Sequence, residues 1–131
     1  MALIALTPYA HVADVGRSVE FYELLGLSLR NSHHADGRLV WALLTGPAAE
    51  PNAAGARLMV ALADEPVEPD RQAVLFYCWT PDVRGLRDRL LRAGVEVGEI
   101  THPFYMPAGE LRVTDPDGYV LLLGQLGEAT G

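Results

Sequence analysis

The sequence has a single cysteine, Cys78, and contains no lysine. One cysteine excludes an internal disulfide, so a reducing cytoplasm is the simplest compartment to expect. No apolar run approaches the roughly 20 residues that a membrane helix needs, so a membrane is not an expected partner. Residues 1–6 are apolar without a preceding basic segment, which predicts a first strand and not a secretion signal.

Positive charge is also scarce. Ten arginines face 17 acidic residues, and the formal net charge is −7. A surface of this sign repels phosphate backbones, so nucleic acid is not an expected partner either. Half of the 131 residues are hydrophobic, which argues against disorder and is enough for one domain with a sizeable core.

What the sequence does contain is an internal repeat. The segment DVGRSVEFYELLGLSL begins at Asp14, and DVRGLRDRLLRAGVEV begins at Asp82, an offset of 68 residues. The two segments align without a gap, and Gly26 then matches Gly94. Two copies predict a pair of similar modules and not a solenoid.

Each copy predicts a short helix followed by a strand. Asp14 and Asp82 stand where an N-cap carboxylate accepts the free N–H groups of a first helical turn. Apolar residues then recur at helical spacing. Gly26 and Gly94 stand where a helix C-terminus favours a left-handed residue.

The remaining apolar segments alternate as strands do. In the first half they cover residues 7–12, 27–33, 37–45 and 57–63; in the second half they cover 74–79, 95–101, 108–114 and 119–125. The order predicts an α+β fold of two tandem βαβββ modules, each a curled mixed sheet, that together form a cleft. We expect module one at 1–63, a linker at 64–72, module two at 73–126 and a tail at 127–131. Small residues predict a loop at 46–56.

Two local motifs carry a resemblance to a known family: Asp14-Val15-x-x-Ser18-x-x-Phe21-Tyr22-x-x-Leu25-Gly26-Leu27 and Asp115-Pro116-Asp117-Gly118. With the repeat, they make nearly the whole chain similar to the vicinal oxygen chelate superfamily of glyoxalases, bleomycin resistance proteins and extradiol dioxygenases. The resemblance implies two half-barrels around a cleft and a homodimer. In the enzymes of the family it implies a divalent metal that acts as a Lewis acid.

The positions that the resemblance assigns to metal ligands carry the wrong residues. Seven residues before the two helix-capping aspartates lie Thr7 and Leu75, and seven residues after Asp115 lies Leu122. The remaining ligand position falls near 59–61, where no ligand type occurs. Leucine cannot coordinate a metal and threonine is a poor ligand. We therefore expect no metal and no other cofactor, as in the bleomycin-resistance branch, which captures its ligand without chemistry.

The expected cleft face carries rings where the metal enzymes carry ligands. Strand alternation places Tyr9 and His11 on one face, and the repeat matches them with Tyr77 and Trp79. Cys78 alternates to the other face and is expected to be a packed thiol. Aromatic concavities with a few polar groups are typical of small-molecule sites.

The candidate ligand-binding residues combine these rings with a covering loop, an apolar strand position and two charged groups: Tyr9, His11, Trp41, Tyr77, Trp79, Phe104, Tyr105, Glu110, Arg112 and Leu122. Met106 belongs to the same predicted lid. Trp41, Tyr9 and Tyr77 also fit a core, and Glu110 also fits a structural ion pair with Arg112 or Arg57.

The sequence is compatible with two main functions. The first is a metal-free homodimer that captures a small aromatic or apolar ligand, an antibiotic being one candidate. The alternative is a metal-dependent lyase, isomerase or dioxygenase of the glyoxalase type, for which His11 and Glu110 are the remaining ligand candidates. A third option is acid–base catalysis by His11 with Tyr9 or Glu110.

Overall fold

The structure is a computed structural model that describes residues 5–47 and 55–126. Most of the predicted loop 46–56 and the whole predicted tail lie outside these residues. Contacts divide the chain into two compact units, with the division between Val67 and Glu68. No helix in the described ranges is long and apolar enough to span a membrane.

The first unit forms a mixed four-stranded sheet with one helix: β1 (Tyr9–Val12), α1 (Val15–Leu24), β2 (Ser28–Ala35), β3 (Arg38–Thr45) and β4 (Arg57–Leu62). The strand order is β1-β4-β3-β2, with β1 parallel to β4 and the other pairs antiparallel. Asp36 and Gly37 join β2 to β3 with φ values of 52° and 77°. Positive φ at both positions is the two-residue hairpin geometry that an Asp-Gly pair favours.

The second unit forms a three-stranded sheet with one helix: β5 (Leu75–Thr80), α2 (Val83–Arg92), β6 (Glu110–Thr114) and β7 (Val120–Gln125). The strand order is β5-β7-β6, with β5 parallel to β7 and β6 antiparallel to it. Asp115 opens the turn between β6 and β7, and its Oδ1 accepts the N–H groups of Asp117 and Tyr119 at 2.9 Å each. The predicted α+β class with two mixed sheets is confirmed.

The repeat is reproduced in the structure, because α1 and α2 begin and end at an offset of 68 residues. Asp14 accepts the N–H of Arg17 at 3.0 Å, and Asp82 accepts that of Gly85 at 2.9 Å. Both helices end alike, with φ of 92° at Gly26 and 81° at Gly94. Each such cap contributes about 1 kcal/mol to the stability of its helix.

One face of each sheet is buried under its own helix. In the first unit, α1 packs on the sheet with Val15, Val19 and Tyr22, and the strands contribute buried alternate residues: Ala10, Val12, Ala42, Leu44, Leu58 and Val60. In the second unit α2 buries Val83 and Leu90 above strand residues of the same kind: Leu111, Val113, Leu121 and Leu123. Because side chains alternate between the two faces of a strand, the residues between these buried ones lie on the opposite face of each sheet, outside this core.

The strand predicted for residues 95–101 is wrong. Within this range only Thr101 pairs with a strand, through an isolated bridge to Glu110. Arg87 of α2 donates from Nε to the carbonyl of Gly98 at 2.8 Å, and its guanidinium pairs with Glu99 at 3.2 Å. These bonds tie the segment to the helix, and a glycine inside it weakens strand pairing. Within the described part of the chain, no strand pairs with the outer edge of β6 beyond Glu110.

Candidate functional site

The uncovered face of the second sheet gathers most of the predicted site residues. Cross-strand register places three rows on it, which together we call the open face: Leu75-Val120-Thr114, Tyr77-Leu122-Arg112 and Trp79-Gly124-Glu110. Trp79 is 60% exposed, whereas Glu110 is only 7% exposed. The open face therefore presents rings and apolar side chains around one buried carboxylate.

Glu110 is held by two tyrosines. Tyr77 donates its hydroxyl to Oε2 at 2.7 Å, and Tyr105 donates its hydroxyl to Oε1 at 3.0 Å. The hydrogen bond to Glu110, with desolvation and the carboxylate charge added, raises the pKa of Tyr77 to about 12. The same causes raise the pKa of Tyr105. Both hydroxyls thus stay protonated as donors at neutral pH.

Gly124 lets Tyr77 reach this carboxylate. A Cβ at Gly124 would lie 3.1 Å from the Tyr77 hydroxyl and 2.8 Å from the terminal methyl of Met106. The Tyr77 ring and the Met106 side chain therefore cover the backbone at the position where any other residue would place its side chain. Strand alternation already predicts Gly124 on the cleft face with Leu122, but not as a site residue, although a glycine inside an apolar strand signals a close approach.

Residues 102–109 form a loop that the Thr101–Glu110 bridge closes. His102 contacts the Pro107 carbonyl through Nδ1 at 3.0 Å, so this histidine supports the loop. Tyr105 turns back to Glu110, while Phe104 is 96% exposed and stands edge-on to the Tyr105 ring. An apolar side chain left fully in water at a loop tip is available to an incoming ligand.

The aromatic pairs of the two units correspond. The ring centroids of Tyr77 and Trp79 lie 4.8 Å apart, and those of their repeat equivalents, Tyr9 and His11, lie 5.7 Å apart. Tyr9 is 53% exposed. Both pairs lie on the sheet face opposite the helix.

Trp41 shares the face of Tyr9 and His11, because register places His11, Ala61, Trp41 and His33 in one cross-strand row. It is half-buried, whereas the helix-facing neighbours Ala42 and Leu44 are fully buried. The structure therefore brings Tyr9, His11 and Trp41 together on the first sheet. It brings Tyr77, Trp79, Tyr105, Glu110, Arg112 and Leu122 together on the second sheet and its loop.

Two neighbouring groups have simple explanations. Glu110 and Arg112 are two residues apart, yet no ion pair joins them within residues 5–47 and 55–126, and both carboxylate oxygens instead accept tyrosine hydroxyls. Cys78 lies on the helix side of β5, and burial raises the pKa of its thiol to about 11. A thiol of that pKa is a poor nucleophile at neutral pH.

The described residues do not fit the metal of the family's enzymes. No group of three or more histidine, cysteine, aspartate or glutamate side chains in this part of the chain is arranged to hold an ion. Leu75 and Leu122 lie on the same face of β5 and β7, opposite Val120 and Tyr77 respectively, and neither can ligate a metal.

Several solved structures share the fold. A bleomycin-binding protein in complex with bleomycin superposes with a TM-score of 0.68 at 17% identity, over 95% of this chain and 100% of that one. TnmS3, an antibiotic-binding protein from Streptomyces sp. CB03234, gives 0.71 at 22% identity, over 97% and 99%. The fosfomycin resistance protein FosX from Listeria monocytogenes, in complex with Mn(II), gives 0.70 at 13% identity, over 97% and 95%.

At these identities the likeness establishes the fold alone, and the three structures include one that holds a metal ion. A comparison with curated protein sequences finds no match. The family model described as the glyoxalase, bleomycin resistance protein and dioxygenase superfamily matches residues 7–123, which is most of the chain. This protein therefore belongs to the glyoxalase/bleomycin resistance protein/dioxygenase superfamily.

Proposed function

We propose that this protein captures a small planar aromatic ligand on the open face of its second sheet without transforming it. The observation that carries the proposal is the pair of half-buried Tyr77 and exposed Trp79, with ring centroids 4.8 Å apart, beside a buried carboxylate that accepts two tyrosine hydroxyls. Exposed rings on a rigid sheet stack on planar ligands at little entropic cost.

The chemistry of the face favours binding over catalysis. Glu110 is the acid–base candidate on this face, and both of its oxygens accept tyrosine hydroxyls. A general base must come within hydrogen-bond reach of the proton that it removes, and a carboxylate that is 7% exposed and already accepts from two tyrosines is poorly placed to do so. Leu75, Leu122 and Val120 supply apolar contact around the rings, which suits a hydrophobic ligand.

The structural neighbours support the same direction. One neighbour binds bleomycin and another is an antibiotic-binding protein. In both cases the superposition with this chain covers nearly the whole neighbour. Sequestration of an aromatic antibiotic, and thus resistance to it, is the role that such capture would serve here. We further propose that the chain works as a homodimer, which analytical ultracentrifugation would test.

Tryptophan fluorescence tests the capture directly, because the chain has two tryptophans, Trp41 and Trp79. In the Trp41→Phe variant, Trp79 is the sole reporter; in the matched Trp79→Phe variant, Trp41 is. Titration with a neutral hydroxymethyl anthraquinone, and separately with metal-free bleomycin, should quench the first variant much more strongly. Isothermal titration calorimetry of the wild-type protein gives the stoichiometry independently of fluorescence.

Two results would overturn the proposal. One is an absence of heat and of Trp79 quenching with both probes up to their solubility limits. The other is stoichiometric Zn, Ni, Mn or Fe in untagged protein, measured by plasma mass spectrometry, which would return the chain to the enzyme class. A chelator should leave probe binding unchanged if capture needs no metal.

A further inference from the structure

Arg112 is an exposed cation beside the aromatic pair. It lies on β6, and register places it in one cross-strand row with Leu122 and Tyr77. Glu110, the nearest carboxylate along the strand, is engaged by tyrosine hydroxyls, and no ion pair within the described ranges includes Arg112. The guanidinium is therefore available to a ligand.

The distance along this row suits one ligand that touches both ends. Neighbouring strands lie about 4.8 Å apart, so the backbones of Tyr77 and Arg112 are separated by about 10 Å, with Leu122 between them. A fused polycyclic ring laid over Leu122 spans this gap. One end then meets the Tyr77 and Trp79 rings, and a substituent at the other end meets the guanidinium.

Arg112 also borders a shallow, open depression at the edge of β6, lined by Glu96, Val97, Gly98, Arg112, Val113 and Thr114. Glu110 directs its N–H and C=O outward to Thr101, so the alternate residues Arg112 and Thr114 direct theirs to the same edge. The N–H groups of Arg112 and Thr114 thus provide two further hydrogen-bond donors along this edge, about 7 Å apart. Glu96 is the one carboxylate among the lining residues.

We propose that Arg112 anchors an acidic group of the aromatic ligand, so that the captured class is an aromatic acid such as a carboxylate or sulfonate. This inference rests on the proposed function and names the ligand class of the same site. A planar guanidinium pairs with such groups through two parallel hydrogen bonds, which is stronger and more directional than a single contact.

The net charge of −7 by itself favours a cationic ligand, whereas a contact with Arg112 favours an acidic one. Distant charges are screened beyond about 8 Å at physiological ionic strength. Direct contact with Arg112 is screened far less, and it therefore decides the preference. Added salt should weaken the selection for the acid only in part.

The test compares three probes with one ring system: anthraquinone sulfonate and its neutral hydroxymethyl and cationic aminomethyl analogues. Calorimetry on the wild-type protein should show the sulfonate bound about tenfold more tightly than the neutral probe, since one charged contact of this kind is worth about one decade. Arg112→Gln should remove that difference, so that the sulfonate and the neutral probe bind this variant with equal affinity. Arg112→Lys should restore part of it.

Arg84→Gln is the matched control, because Arg84 is exposed on α2, which packs on the opposite face of the sheet, and its loss changes the net charge equally. It should keep the preference for the sulfonate. Equal affinity for the three probes, tighter binding of the amine, or equal effects of the two substitutions would overturn the inference. In these cases binding of the neutral probe still supports the proposed capture, whereas no binding of any probe overturns both.

Discussion

Tyr77 reaches across Gly124 to donate its hydroxyl to Glu110 at 2.7 Å, which links β5 to β6 over the intervening strand β7. Tyr105 donates to the other oxygen from the loop 102–109. One carboxylate thus fixes a ring of the sheet and a ring of the loop. The positions of the Tyr77 and Tyr105 rings in the candidate site therefore depend on these two hydrogen bonds.

Replacing Glu110 with glutamine should destabilise the protein by about 1 to 3 kcal/mol, because hydrogen bonds to a charged acceptor are the stronger kind and one tyrosine hydroxyl loses a proper acceptor. Urea unfolding measures this change. Tyr77→Phe is the matched control, and the double variant should lose less than the sum of the two single losses, since both changes remove one interaction. Strict additivity would show that the bond contributes nothing.

Alkaline pH should destabilise the protein through Tyr77. Its pKa is raised to about 12 in the folded state, against about 10 in an unfolded chain, so the unfolded state loses its proton first. The contribution of the bond is complete below about pH 10 and declines as the pH rises towards about 12. Absorbance titration of the tyrosines should show a late transition that becomes smaller in Tyr77→Phe, with Tyr105 contributing the remainder. An unchanged titration curve in that variant would contradict the assignment.

Gly124→Ala should displace the Tyr77 ring, because the added Cβ would meet the Tyr77 hydroxyl at 3.1 Å and the Met106 methyl at 2.8 Å. We expect a loss of about 1 to 3 kcal/mol, the usual cost of overpacking, and weaker quenching of Trp79 by the neutral probe. Gly98→Ala is the control, since a Cβ there meets no atom within 4 Å. The site assignment fails if both alanine variants bind the probe equally well.

Phe104→Ala should separate binding from stability. The side chain is 96% exposed, so its removal should change the free energy of unfolding by less than about 0.5 kcal/mol. If the loop covers a bound ligand, the same change should accelerate probe dissociation several-fold, which stopped-flow fluorescence measures. An unaltered dissociation rate would remove Phe104 from the candidate site.

Much of the fold follows from local sequence signals. Asp14 and Asp82 cap helices, Gly26 and Gly94 end them, and Asp36-Gly37 turns a hairpin, all for reasons of backbone chemistry within a few residues. Adding the offset of 68 residues to the bounds of α1 gives the bounds of α2. The strand predicted for residues 95–101 fails because Arg87, which is distant from it in sequence, bonds to Gly98 and Glu99.

Spacing and residue type are enough to predict the two-module plan, the lack of ligand residue types at the family's metal positions and the rings on alternating strand positions. The two hydrogen bonds that tyrosines donate to Glu110, in place of an ion pair with Arg112, become visible only in the folded chain. Pairing of that kind depends on strand register and on which side chain can cross Gly124, and these are set by contacts between segments far apart in the chain. The structure thereby leaves the guanidinium of Arg112 available on the open face.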